Sequence, residues 1–327
     1  MRRAWLAISI LLLLLADRSA FCAAARFEKL SDHCYYLQSK GDEANVGAVV
    51  TDDGVLLINS PSQSGLAPTL EALRRLTTKP VRWIVGTDYR FARSPICSNF
   101  EEQGAVYVES QAMQHTVTAI AEGTAVKNPL AQVTVKESSP PETSVYPVDC
   151  PQLFFQNQVR LYPAGVEVLV FALEHKAHSA ADVAIFVPGE KVLFVGALFE
   201  QGNYPTIDAS PGGGSAQGWF DGFRQAIDAV PLLKAAKPQP KIEAKPGEEK
   251  SLEELVAVVA SRGVSSNLLE MKNLLELSVK LRADVARAAR AGRDKDSFLA
   301  SAAADQYRLY GNLESFVGQL FAEITGK

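Results

Sequence analysis

The stretch from Arg82 to Phe100, RWIVGTDYRFARSPICSNF, constrains the rest of the chain more than any other. Trp83, Ile84 and Val85 form an unbroken apolar run of the kind found in a strand covered on both faces. At Gly86 the run stops and opens into a polar loop carrying Thr87, Asp88, Tyr89, Arg90 and Arg93. A covered strand needs partners, and the flanking sequence supplies them. HCYYLQS and NVGAVVT are rich in aromatic and β-branched residues, DDG makes a turn, and VLLIN follows as a fully apolar strand. SGLAPTLEALRRLTT places Leu66, Leu70 and Leu73 on one helical face, and Pro80 stops it before VRWIVGT. With AVYVES following, the pattern is strand–helix–strand alternation on an antiparallel start, an α/β arrangement.

Downstream, QAMQHTVTAIAE predicts a helix and KESSPPETS a loop. VRLYPAGVEVLVFALE carries strand signals, and DVAIFVPGEKVLFVGALF predicts a hairpin with PGEK as its turn. YPTIDASPGGGSAQG is a long Gly-rich loop, either a plain connection or the lining of a site. WFDGFRQAIDAV predicts a helix. Residues 234–250, KAAKPQPKIEAKPGEEK, have almost nothing to bury and read as a solvated insertion or linker. In the last segment Leu313, Phe316, Val317, Leu320, Phe321 and Ile324 repeat at helical spacing, which predicts a docked amphipathic helix or a partner-binding face.

The first 25 residues stand apart. Arg2 and Arg3 precede an apolar run of about 13 residues, and FCAAA offers small residues for cleavage after Ala25. That is the layout of a secretory signal peptide, too short to span a bilayer in comfort. The expected organisation is therefore a signal peptide over 1–25, a main domain over 26–233, the linker over 234–250, and a helical part over 251–327 completing the fold. The expected location is the periplasm or outside the cell, with no transmembrane helix after cleavage. Cys34, Cys97 and Cys150 would remain, allowing three single disulfide pairings. A net charge of −4 gives no reason to expect nucleic acid as a partner.

Four segments, in order and spacing, resemble the metallo-β-lactamase-fold hydrolases: NVGAVVTDDGVLLIN, KPVRWIVGT with its loop, NFEEQGAVYV, and AHSAADVAIFVPGEKVLFVGALF. The likeness extends to Trp219 and its helix and is strongest near the exported zinc hydrolases associated with quinoprotein systems. It implies a four-layer αββα sandwich, here with extra C-terminal helices. It also implies a two-zinc site held by the pattern T-H-x-H-x-D-H. In this chain Thr87 is kept, while Asp88, Arg90, Ala92 and Arg93 stand at the ligand positions. His178 falls on a ligand position, Ala197 replaces the bridging Asp, and Arg262 is the match for a late His.

A guanidinium has no free lone pair and stays charged, so Arg90 and Arg93 oppose a dication instead of binding one. The expectation is a non-catalytic pseudoenzyme with no cofactor. Two roles for the arginines are open. They form a structural ion-pair cluster with Asp88, or Arg90, Arg93 and Arg262 present forked donors to an anionic small molecule, with Tyr89 and Phe91 beside it. The alternatives are a hydrolase of the same superfamily with a remodelled or single-zinc site, and a structural subunit bound to an exported protein partner.

Overall fold

The computed structural model describes residues 25–40, 44–91, 99–100, 103–121, 152–209, 212–230 and 251–326. The signal segment, the 234–250 linker, Ala92, Arg93, Cys97 and Cys150 lie outside the described residues.

Two mixed sheets face each other. The first runs β1 (Phe27–Lys29), β2 (Cys34–Leu37), β3 (Val46–Thr51), β4 (Gly54–Ile58), β5 (Val81–Val85), β6 (Val106–Ser110) and β7 (Gln152–Phe155), in that spatial order. Strands β1 to β4 are antiparallel neighbours, and β4 to β7 are parallel. The change follows from the connections. The DDG turn joins β3 to β4 directly, whereas α1 (Gln63–Leu76) carries the chain back from β4 to β5, as parallel pairing requires. Helix α2 (Gln111–Ala121) follows β6.

The second sheet has the order β13 (Ser266–Asn267), β12 (Ala257–Ala260), β11 (Val192–Gly196), β10 (Val183–Val187), β9 (Val168–Ala172) and β8 (Gln158–Leu161). The single predicted run over residues 159–174 is thus two strands, β8 and β9, parted by a short turn at Pro163–Gly165. The β10–β11 hairpin pairs Val187 with Val192 across the PGEK turn, where Lys191 takes the left-handed conformation. The segment after 251 is more than helix: it opens with α4 (Leu252–Leu255), then β12, which adds to the sheet parallel to β11, and β13. Helices α5 (Leu268–Arg290), α6 (Lys295–Leu299), α7 (Ala302–Asp305) and α8 (Leu313–Thr325) complete it.

The period-2 alternation inside fully apolar strands explains the four layers. On β4, Leu56 and Ile58 point between the sheets, where they join Val85, Val108, Ile185, Val187 and Phe194. Their neighbours Val55 and Leu57 point outward beneath α1, among Leu66, Leu73 and Ile84. On the other sheet Phe186, Leu193 and Val195 point outward to Trp219, Phe220 and Phe223 of α3 (Ala216–Asp228), with Leu274 of α5 and Phe316 of α8. The central strands β3, β4, β9, β10 and β11 are covered on both faces, whereas the edge strands β1, β7 and β8 keep exposed residues.

In α8, Leu313, Phe316, Val317, Leu320 and Phe321 are buried in this outer core, and Ile324 alone of the six is exposed. The apolar stripe is therefore packed against the chain's own outer core. No helix among the described residues is long and apolar enough to cross a membrane. Cys34 is buried and free, and its possible partners Cys97 and Cys150 lie outside the described residues.

Candidate functional site

The loops that matter leave the same end of both sheets. β4 ends at Ile58, opposite Val85 at the end of β5, and Asn59 N donates to Val85 O at 2.8 Å. Asn59 sits at φ 64°, a conformation that Asn tolerates better than most residues. Its Oδ1 accepts from Thr87 N at 2.8 Å and from Thr87 Oγ1 at 2.9 Å, and both residues are buried. Thr87 O in turn accepts from Val183 N at 2.8 Å, which ties the loop after β5 to the start of β10 on the other sheet. Gly196, ending β11 at φ 55°, lies so close that a Cβ there would collide with the Thr87 side chain. Ser261 N donates to Gly196 O at 2.8 Å and brings the end of β12 to the same place.

On this scaffold Asp88 is fully buried and Arg90 closes over it. Arg90 N donates to Asp88 Oδ1 at 2.9 Å, an Asx turn that shapes the short helical turn Tyr89–Phe91. The guanidinium then grips the carboxylate side-on, Nε to Oδ1 at 3.0 Å and Nη2 to Oδ2 at 2.7 Å. The Arg90 side chain keeps 39% of its exposure while that of Asp88 keeps 1%. Burial works against the Arg90 charge, but the hydrogen bonds and the charge of Asp88 outweigh it and hold the guanidinium protonated more firmly than usual. The Phe91 ring lies 5.9 Å from Arg90 Cζ, and Tyr107 Oη donates to Phe91 O at 2.6 Å, fixing the turn from below.

His178 reaches the site from the loop before β10. It is buried, and its Nδ1 lies 2.6 Å from Thr206 O. A carbonyl oxygen only accepts, so Nδ1 carries the hydrogen and Nε2 presents a bare lone pair in the neutral ring. Nε2 is buried without a hydrogen-bond partner. Four residues on, Asp182 is buried and accepts from Ser179 N and Ser179 Oγ, each at 2.8 Å. Burial pushes its carboxyl up to about 6, against the opposing pull of His178 and the Ser179 bonds.

The Gly-rich loop folds over these residues. Asp208 N donates to His178 O at 2.8 Å, and Gly214 N donates to Asp208 O at 2.7 Å. Asp208 Oδ2 accepts from Tyr89 Oη at 2.5 Å. Burial, aided by Asp208, raises the Tyr89 hydroxyl well above its ordinary range. At Gly214 a Cβ would collide with the His178 backbone, so glycine is required for the loop to pack this closely.

The structure thus brings Asp88, Tyr89, Arg90 and His178 to one end, with Ala197 half-buried just past β11 and Arg262 half-buried just past β12. Tyr89 faces Asp208 as a hydrogen-bond donor. Asn59 stands where the family that the sequence resembles usually has an Asp at the end of this strand; two other residues with a part here, Thr206 and Asp208, escape a reading of the motifs. Asp208 had one signal, an acidic residue set beside a glycine run; Thr206 acts through its backbone and had none.

No protein-family model and no curated protein matches the chain. Solved structures do. A metallo-β-lactamase from Pontibacter korlensis superimposes with TM-score 0.52 at 17% identity, over 77% of this chain and 98% of its own. The DIM-1 metallo-β-lactamase superimposes with TM-score 0.53 at 14% identity, over 79% and 98%. The stereoselective inverting sec-alkylsulfatase Pisa1 from Pseudomonas sp. superimposes with TM-score 0.60 at 12% identity, over 91% of this chain, which spans 50% of that protein. Identities this low carry the architecture and nothing finer, and by that architecture the chain has the metallo-β-lactamase fold.

Proposed function

We propose that this chain is an exported protein of the metallo-β-lactamase fold, nearest the quinoprotein-associated branch, that does not run the fold's zinc hydrolysis and serves as an anion-binding or accessory protein. The observation that carries the reading is the side-on grip of Arg90 on Asp88.

Zinc needs several donors with free lone pairs converging on one point. Both Asp88 oxygens are engaged by a guanidinium whose positive charge occupies the neighbourhood of a metal. Both Asp182 oxygens are engaged by Ser179, and Ala197 has no donor atom. Among the described residues no three of His, Cys, Asp and Glu gather in a ligating group. The donor set does not fit a dinuclear zinc centre.

The side-on grip uses Nε and one hydrogen of Nη2. That leaves Nη1 and the outer hydrogen of Nη2, on a half-exposed side chain, as the end-on fork that suits a carboxylate or a phosphate.

One observation favours a second reading. The His178 ring donates Nδ1–H to a carbonyl and leaves Nε2 bare, which is how metal-ligating histidines are held. That reading is a single-metal hydrolase.

Elemental analysis of the mature protein, expressed into the periplasm with zinc supplied, separates the two. The proposal expects a metal-to-protein ratio near zero, an N-terminus at Arg26, and no turnover of β-lactam or sec-alkyl sulfate, the substrates named for the solved relatives. A ratio near one, with turnover of either, would replace it by the hydrolase reading.

A further inference from the structure

The outer face of the first sheet holds a cavity at the other end of β5 from Thr87. It lies between the last turns of α1, the start of β5, and Asn99, Phe100 and Gln103, and its volume is about 330 Å³. That is the lower end of the range for pockets that take small organic molecules. Leu70, Leu73, Val81 and Phe100 form its apolar wall. The last three are buried in the core between α1 and the sheet, so packing fixes this side.

The polar side of the cavity has donors to spare. Gln103 Oε1 accepts from Val81 N at 3.0 Å, and Gln103 O accepts from Arg82 Nη1 at 2.9 Å. With its oxygens engaged, the Gln103 side chain has two amide N–H groups left to give. Arg74, on the last turn of α1, makes no hydrogen bond or ion pair with another described residue. Its neighbours differ: Arg75 is met by Glu71, and Lys79 by Asp52 at 3.0 Å. No described residue of the wall is a carboxylate. One cavity thus joins an apolar floor to an unmatched positive charge and an unmatched amide.

We infer that this cavity binds a small carboxylate with an apolar tail. Its oxygens meet the Arg74 fork and the Gln103 amide, and its tail lies against Leu73, Val81 and Phe100. The site is separate from the Arg90–Asp88 pair, since β5 runs roughly 13 Å from Val81 to Val85 at about 3.3 Å per residue.

The test is calorimetric titration of the mature protein with hexanoate, 1-hexanol and hexylammonium at pH 7 and matched ionic strength. The three probes share a tail. Hexanoate should bind at least about fivefold more tightly than hexanol, the worth of a half-wet charged contact, and hexylammonium should bind more weakly than either. Acetate, without the tail, should bind at least about tenfold more weakly than hexanoate. Arg74→Gln, a change at an exposed position, should bring hexanoate down to the level of hexanol. Amide resonances shifted by hexanoate should centre on Leu73, Val81 and Phe100. No binding of hexanoate, binding no tighter than that of hexanol, or binding unchanged in Arg74→Gln overturns the inference. So does a preference for hexylammonium, which would hand the cavity to Glu101 and Glu102, outside the described residues. Hexanoate binding that Arg90→Ala abolishes and Arg74→Gln spares overturns this inference and leaves the anion-binding reading of Arg90 standing.

Discussion

Truncating Arg90 tests whether the guanidinium holds the site together. Arg90→Ala keeps the backbone bond from residue 90 to Asp88 Oδ1 and deletes the two side-chain bonds, at 3.0 and 2.7 Å. The carboxylate left behind is 1% exposed. A hydrogen bond to a charged group contributes about 1.5–3 kcal/mol net, and breaking a fully buried pair costs about 3–5 kcal/mol. The outer side of Arg90 is wet, however, and exposed pairs are worth about 1 kcal/mol or less. Between these limits the expected loss is about 2–3 kcal/mol. Urea denaturation followed by far-UV circular dichroism should show it as a midpoint lowered by roughly 1 M, taking a slope of about 3 kcal/mol per M. Arg90→Lys keeps the charge but not the fork and should lose about half as much. Asp88→Asn combined with Arg90→Ala should cost less than the sum of the single changes by about 2 kcal/mol, since the stranded charge is gone. An Arg90→Ala variant within about 0.5 kcal/mol of wild type would refute the account, because a surface substitution does no more than that.

Asp182 should leave a signature in the pH dependence of stability. Its folded pKa, about 6, lies above the unfolded value of about 3.9, so the folded chain keeps a proton that the unfolded chain releases. This contribution is fully present below about pH 4 and is lost as pH rises through about 6. The stability difference between wild type and Asp182→Asn should therefore shift against wild type by roughly 2–3 kcal/mol between pH 4 and 7, measured by urea titration at each pH. A flat difference curve would remove Asp182 from the titration. Gly196→Ala places a side chain at φ 55° and drives its Cβ into Thr87, and should cost about 3 kcal/mol or more in the same assay. Cys34, buried and with its thiol pushed up to about 12 chiefly by burial, should remain unlabelled by a thiol reagent until the chain is unfolded. Peptide mapping by mass spectrometry reads this directly, and labelling in the native state would contradict its burial.

The layers were legible because they rest on local pattern. Each apolar run has a strand's length, each helical face a 3.6-residue period, and each turn its Gly, Pro or Asp. What pattern could not place was pairing between distant segments. β12 is a four-residue strand in a part that reads as helical, and it is a strand because β11 offers it an edge. The arginine fork over Asp88 was partly legible, since residues two apart in a polar loop are within reach of each other. The clasp of Asp208 on Tyr89 was not, since 119 positions separate them.

These contacts also explain how the loop after β5 accommodates a buried ion pair. The bonds that shape its end of the sandwich are Asn59 to Thr87, Thr87 to Val183, Ser179 to Asp182, and Gly196 to Ser261. None uses the side chain of Arg90 or His178, and all are internal and satisfied. The loop after β5 is therefore set by its contacts with β4, β10 and β11. Placing Arg90 there then requires only that one carboxylate meet its charge, and Asp88, two residues away, does so with both oxygens. His178 lies outside that exchange. Its ring is held instead by the backbone carbonyl of Thr206, with Nε2 buried.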